Sequence, residues 1–224
     1  MGVGRQSAVA SNVSNEYMGR NIGPKNKLAR RFGVNLGLKS NPTKVARRLA
    51  QMPGQHGAKK RGKGGSTFGK QLIEKQKAKI IYGLRERQFR GYVVEADRRE
   101  GDSGYNLQQL LESRFDNVIY RLGFAITRAQ ARQMVSHDLF TLNGKRMNIP
   151  SHLVKIGDVI EIKPNKTKKK IFDGIEERLS VANLPSWLTV DAKAKSGKVV
   201  SRPIDQDFDK IFDVKLITEY YSAR

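Results

Sequence analysis

The chain has 224 residues, 43 Lys and Arg against 21 Asp and Glu, a formal net charge of +22, and no cysteine. That length suits one large domain or two small ones, and so large a cationic surplus repels itself unless a polyanionic partner neutralises it. The composition excludes a disulfide framework and any thiolate zinc site, and no run approaches the ~18 apolar residues of a membrane span.

Residues 1–70 hold 15 basic side chains and 1 acidic, residues 71–172 hold 20 and 11, and residues 173–224 hold 8 and 9. The positive field therefore sits in the first third and continues through the middle, too one-sided for an ordinary solvated surface. No apolar segment resembling a signal peptide opens the chain, so a cytoplasmic or organelle-matrix home is expected. The breakers Gly23-Pro24, Gly33, Gly37 and Asn41-Pro42 make residues 1–45 an extended arm with at most short helices, ordered on its partner. Lys59, Lys60, Arg61 and Lys63 follow among glycines, where bare backbone and cations together suit phosphate.

The pattern then predicts a helix from about Phe68 to Ile81 and a second from Arg85 to Arg99. The second carries Phe89, Val93 and Ala96 on one stripe and Arg87, Arg90 and Arg98 elsewhere. A third helix, near Asn106 to Leu122, would bury Phe115, Val118, Ile119 and Leu122, with Arg114 and Arg121 sharing a face. Thr127-Arg128-Ala129-Gln130 has the capping-box pattern of a fourth, which stacks Arg128 and Arg132 and turns Ala131, Met134 and Val135 inward. The period then changes from 3.6 to 2: a strand over Leu139 to Leu142, an Asn143-Gly144 hairpin turn, a return over Arg146 to Ile149, and another strand over Val159 to Ile162. After Lys166, Lys168, Lys169 and Lys170 come a short helix near Ile175 to Val181, the run Trp187 to Val190, and a strand-like run from Val214 to Tyr221. The result is a helix pair packed on a small sheet. Arg128 and Arg132 beside Lys145 and Arg146 would give a cationic edge able to follow a phosphate backbone.

Other chemistries lack their constellation. Gly64 to Lys70 nearly spells a nucleotide-binding P-loop, but Gln71 stands where magnesium needs a hydroxyl, and no apolar strand precedes it. His56, His137 and His152 are scattered, and Asp205, Asp207, Asp209 and Asp213 suit a solvated or cation-facing loop better than a metal site. Neither an enzyme activity nor a cofactor or metal is expected.

The stretch Leu111-Glu112-Ser113-Arg114-Phe115-Asp116-Asn117-Val118-Ile119-Tyr120-Arg121-Leu122-Gly123-Phe124, followed by Arg128-Ala129-Gln130-Ala131-Arg132-Gln133, closely resembles the RNA-binding module of the small-subunit ribosomal protein S-four family. Pseudouridine synthases, a tRNA synthetase and heat-shock RNA-binding proteins share that module, so the flanks decide. Pro53-Gly54-Gln55-His56-Gly57, Glu74-Lys75-Gln76-Lys77, Tyr82-Gly83, Glu86-Arg87-Gln88-Phe89-Arg90, Pro185-Ser186-Trp187-Leu188 and Glu219-Tyr220-Tyr221-Ser222 resemble the family's other parts, in its bacterial and organellar type. The resemblance covers roughly residues 18 to 224. Two departures stand out: the arm lacks the zinc-binding cysteines of many members, and the family's usual start corresponds to Met18-Gly19-Arg20, which makes residues 1–17 an extension or Met18 an alternative start.

The resemblance implies an α+β fold: a basic N-terminal arm (1–45), a mostly helical domain (46–104, completed by 180–224), and an inserted RNA-binding module (105–179) of helices on a short antiparallel sheet. It implies a non-enzymatic constituent of the small ribosomal subunit that binds the 5′ domain of 16S-type rRNA early in assembly. Expected neighbours are proteins S-five and S-three and the mRNA where it enters, with a contribution to translational accuracy. Gln55, His56, Lys59, Lys60, Arg61, Lys63, Lys75, Lys77, Arg87 and Arg90 are assigned to one rRNA face. Arg114, Arg121, Arg128, Arg132, Lys145 and Arg146 are assigned to the other, with the alternative that Arg114 or Arg121 pairs with Asp116. Lys44, Arg47 and Arg48 are assigned to the mRNA side.

Overall fold

A computed structural model describes residues 23–49, 51, 53–54 and 66–223. Two short helices occupy the arm, α1 (Lys25–Phe32) and α2 (Pro42–Leu49), as its breakers allow. The arm is not wholly extended, since Leu36 between them is buried in the first of two hydrophobic cores. Helix α3 (Thr67–Ile81) starts where the glycine-rich stretch ends: the Ser66 hydroxyl caps it, accepting from Gly69 N at 3.1 Å. Helix α4 (Glu86–Arg98) buries the expected Phe89, Val93 and Ala96.

The expected helix over 106–122 is two helices, α5 (Ser103–Glu112) and α6 (Phe115–Arg121). Arg114 between them is extended and pairs with Leu153 in an isolated bridge. The first amides of α6 are satisfied from outside, Phe115 N by His152 O at 2.8 Å and Asp116 N by Pro150 O at 3.1 Å. A helix continued through 114 would place no backbone opposite that loop, and tertiary pairing overrides local propensity here. Arg114 and Arg121 accordingly do not share one helix. Helix α7 (Arg128–Ser136) begins as read: Thr127 Oγ1 accepts from Gln130 N, while the Gln130 side chain reaches back to Ile126 N, one residue before the cap.

Strands β1 (Phe140–Leu142) and β2 (Lys145–Met147) form the expected hairpin, with positive φ at both Asn143 and Gly144, as a type I′ turn requires. β3 (Val159–Ile162) pairs with β1. After α8 (Ile175–Val181), a second hairpin, β4 (Leu188–Asp191) and β5 (Ser196–Val199), joins the same sheet through β3–β5 pairing. The strand order is β2-β1-β3-β5-β4, antiparallel throughout.

The strand-like run 214–221 is instead helix α9 (Val214–Ser222), capped by Asp213 and burying Ile217 and Tyr220 one turn apart. Its β-branched and aromatic residues favour strands in isolation, but packing against the helical core decides. That first core joins Ala78, Ile81, Phe89, Val93, Leu107, Leu110, Leu111, Phe212 and Ile217; the second joins Phe115, Val118, Ile119, Leu122, Met134, Phe140, Ile160, Trp187, Leu188 and Val199. Two expected boundaries therefore move. Helix α5 packs in the helical core, so the module starts after residue 112 instead of at 105, and residues 188–199 extend the module's sheet instead of completing the helical domain.

Candidate nucleic-acid interface

Where the two cores meet, a buried charged junction replaces apolar contact. Glu112, fully buried at the end of α5, accepts from Arg121 Nε and Nη2 (both 2.8 Å), Asn117 Nδ2 (2.7 Å) and Tyr82 OH (2.6 Å). Arg128 donates from Nε to Asn117 Oδ1 at 2.7 Å and from Nη2 to Asp209, and its guanidinium lies 5.1 and 4.6 Å from the ring centres of Tyr82 and Tyr120. Asp209 also faces Arg121 at 3.1 Å. Arg114, 0% exposed, forks onto both oxygens of Asp116 and bonds Tyr92 OH, while Arg132 reaches Asp116 at 3.2 Å.

Protonation here follows from mutual neutralisation. Burial opposes charge on Arg121, but hydrogen bonds to Glu112 and the Glu112 and Asp209 charges outweigh it and raise its pKa. Burial would likewise raise the Asp209 carboxyl; Arg128 and Arg121 instead hold it below the usual range. For Tyr82, burial and then the Glu112 charge push the phenol well above its ordinary value, so it remains a neutral donor.

Most of the second set of expected rRNA contacts is thus committed inward. Arg114 is corrected outright: a guanidinium with no exposed surface reaches no phosphate, and the alternative pairing with Asp116 is the one observed. Arg121 pairs with Glu112 and Asp209 and not with Asp116, and Arg128 serves the junction and not the hairpin edge. Lys75, buried, is corrected too: it bonds Glu86 at 2.9 Å and lies over the Tyr220 ring. Lys77 is held by Glu74 at 2.7 Å. Burying a cation away from water demands such partners, and the basic count conceals which arginines have them.

Other expected residues do face outward. Arg87 and Arg90 are exposed on α4, and Lys44, Arg47 and Arg48 on α2. Lys145 and Arg146 are exposed on edge strand β2, with Arg146 67% exposed and 3.0 Å from Asp138. Gln55, His56, Lys59, Lys60, Arg61 and Lys63 lie outside the described residues. The structure adds a grouping that sequence spacing does not suggest. Arg99, Lys155 and Arg202 come from the end of α4, the loop before β3 and the segment after β5, and they line one groove of about 510 Å³ between the cores. Only the β3–β5 pairing makes them neighbours, so nothing short-range in the sequence signals them. The four late aspartates have separate duties: Asp209 in the junction, Asp207 accepting from Ser186 N at 3.0 Å, Asp213 capping α9, and Asp205 opening a 3-10 turn. Among the described residues no group of His, Asp and Glu could hold a metal ion, and no helix is long and apolar enough to cross a membrane.

Two family models match the chain end to end: the ribosomal protein S4/S9 N-terminal domain over residues 20–112 and the S4 domain over residues 113–160. Their boundary falls at the α5–α6 break, where the two cores divide. The chain is 52% identical over 210 residues to the small ribosomal subunit protein uS4 of Burkholderia thailandensis, 48% over 208 to that of Leptothrix cholodnii and 47% over 210 to that of Herpetosiphon aurantiacus. Each alignment covers 92% of this chain and all of the relative.

Proposed function

The chain belongs to the family of the small ribosomal subunit protein uS4, and from that premise we propose that it binds the 5′ domain of small-subunit rRNA and helps nucleate assembly of the subunit. The family is a structural, non-enzymatic one whose module binds RNA. The observation that carries the reading is the sorting of charge in this fold. The junction arginines are neutralised by Glu112, Asp116 and Asp209, while cations of α2, α4 and the β1–β2 hairpin face solvent.

Such an arrangement recognises shape and phosphate. Each outward cation that meets a phosphate releases counterions, and the ion-paired junction holds the two cores in fixed relation, so RNA helices gripped by both are locked in one arrangement. Arg87 and Arg90 serve the face of the helical unit and Lys145 and Arg146 that of the module, with Gln55, His56, Lys59, Lys60, Arg61 and Lys63 completing the first. Lys77 and Arg132, partly buried with carboxylate partners, contribute at the margins. Lys44, Arg47 and Arg48 on α2 face the path by which mRNA enters, which ties the chain to translational accuracy, and proteins S-five and S-three are its neighbours. The resemblance to the family supports these placements.

Reconstitution tests the reading. Particles assembled from small-subunit rRNA and the other subunit proteins should sediment as complete subunits only when this chain is added. Complete particles without it, or failure of the chain to enter them, would overturn the assignment.

A further inference from the structure

We propose that the groove between the two cores receives a single unstacked nucleotide of the bound RNA, its base against the Trp187 wall and its flanking phosphates at Arg99, Lys155 and Arg202. This rests on the ribosomal reading above and adds base recognition to its phosphate contacts.

The groove is built unlike the rest of the basic surface. Its walls are apolar: Leu110 from the helical core, Leu153 from the loop that bridges the helix break, and Trp187 and Val199 from the module. Three exposed cations from three separate elements stand around it. Arg99 has only an exposed pairing with Glu95 at 3.4 Å, and Glu95 is not among the lining residues. The groove contains no carboxylate at all. Ile156, another lining residue, keeps more than half of its surface in water although it is branched and apolar. Within the same wall the Trp187 indole Nε1 is buried without a hydrogen-bond partner, a cost normally relieved by an acceptor.

A flat, partly apolar ring with carbonyl acceptors, joined to negative charge on either side, matches that set of features, and a nucleotide is that ligand. The volume falls within the usual range for a small-ligand site, roughly 300–1,000 Å³, so one nucleotide fits where a duplex cannot. Sequence-dependent RNA recognition works mainly on such splayed bases, stacked on side chains at bulges and junctions. A protein segment suits the groove less well, because cores of protein interfaces are depleted of charge.

Trp187 is the only tryptophan in the chain, so its emission reports on this groove alone. The full-length protein is titrated with a small-subunit 5′-domain rRNA fragment and with a shuffled RNA, following emission and affinity together across a salt series. Saturation with the rRNA should quench or shift the emission. Ser201→Phe, at an exposed lining position, should fill the groove and lower rRNA affinity about tenfold, since stacking is worth ~1–3 kcal/mol per base. No phosphate contact is lost, so its salt dependence should match the wild type, whereas Arg202→Ala should reduce that dependence. Unchanged emission at saturation, or wild-type affinity in a Ser201→Phe protein with an unaltered unfolding midpoint, overturns the proposal; a groove that serves a protein segment would give that same result with naked rRNA. If the wild type shows no preference for the rRNA, the ribosomal reading falls first and the groove with it.

Discussion

Arg128 and Asp209, 81 residues apart in sequence, meet in a buried ion pair where the two cores join, with the Arg128 guanidinium between the rings of Tyr82 and Tyr120. The pair ties the start of α7 in the module to the segment leading into α9 in the helical core. It therefore acts on how the two RNA-binding units are held, and not directly on RNA.

Arg128→Ala should destabilise the fold by about 3–5 kcal/mol, the usual consequence of stranding one partner of a buried pair. Asp209 and Asn117 would both lose their donor. The folded fraction should keep the wild-type salt dependence of rRNA binding, because no outward cation is lost. Urea unfolding and a salt titration on the same preparation check both halves; a reduced salt slope with unaltered stability would return Arg128 to the contact face.

Lys145→Ala and Arg146→Ala should behave in the opposite way. Each should lower the salt slope by about one for every phosphate contact removed and leave the unfolding midpoint nearly unaltered. The exposed Arg146–Asp138 pair is of a kind worth little to stability, about 0–1 kcal/mol.

Acid should loosen the junction. Asp209 is held below the ordinary carboxylate range by Arg128 and Arg121 against the effect of burial. Glu86 is lowered likewise by hydrogen bonds from Lys75, Tyr221 and Lys79 that outweigh burial. Both carboxylates bind a proton more readily in the unfolded chain, so their stabilisation is complete above their unfolded values of about 4 and is lost as pH falls through the lower folded values. Denaturation midpoints measured from neutral pH down to pH ~3 should fall in that window, and less steeply for Asp209→Asn; an equal fall in that variant would remove Asp209 from the account.

Gly197→Ala should cost about 1–3 kcal/mol by overpacking. Gly197 lies on β5, where a Cβ would approach Leu122 Cδ1 to 2.7 Å, so α6 rests directly on the backbone of the sheet. Thermal unfolding measures this, and a neutral substitution would mean that α6 shifts freely on the sheet.

Elements governed by local signals were legible in the sequence: the Ser66 and Thr127 helix starts, the Phe89 stripe and the Asn143-Gly144 turn all appear where short-range chemistry puts them. What escaped depends on distant partners. The α5–α6 break is imposed by the 150–154 loop, the helix at 214–222 by the core it packs on, and the joining of β4–β5 to the sheet by β3. The site shows the same division. A sequence counts Arg114, Arg121 and Arg128 as cations like any other, and only the fold reveals that Asp116, Glu112 and Asp209 have claimed them. Exposed cations such as Arg87 and Lys145 were recognisable because they flank apolar stripes on single elements.

The most direct measurement is the affinity of the purified chain for a small-subunit 5′-domain rRNA fragment against a shuffled RNA of equal length, across a salt series. The account predicts a preference for the rRNA that persists at high salt, since shape recognition by two rigidly joined units does not screen away as bare charge does. Equal and steeply salt-sensitive binding to both RNAs would contradict it and leave a general RNA-binding protein.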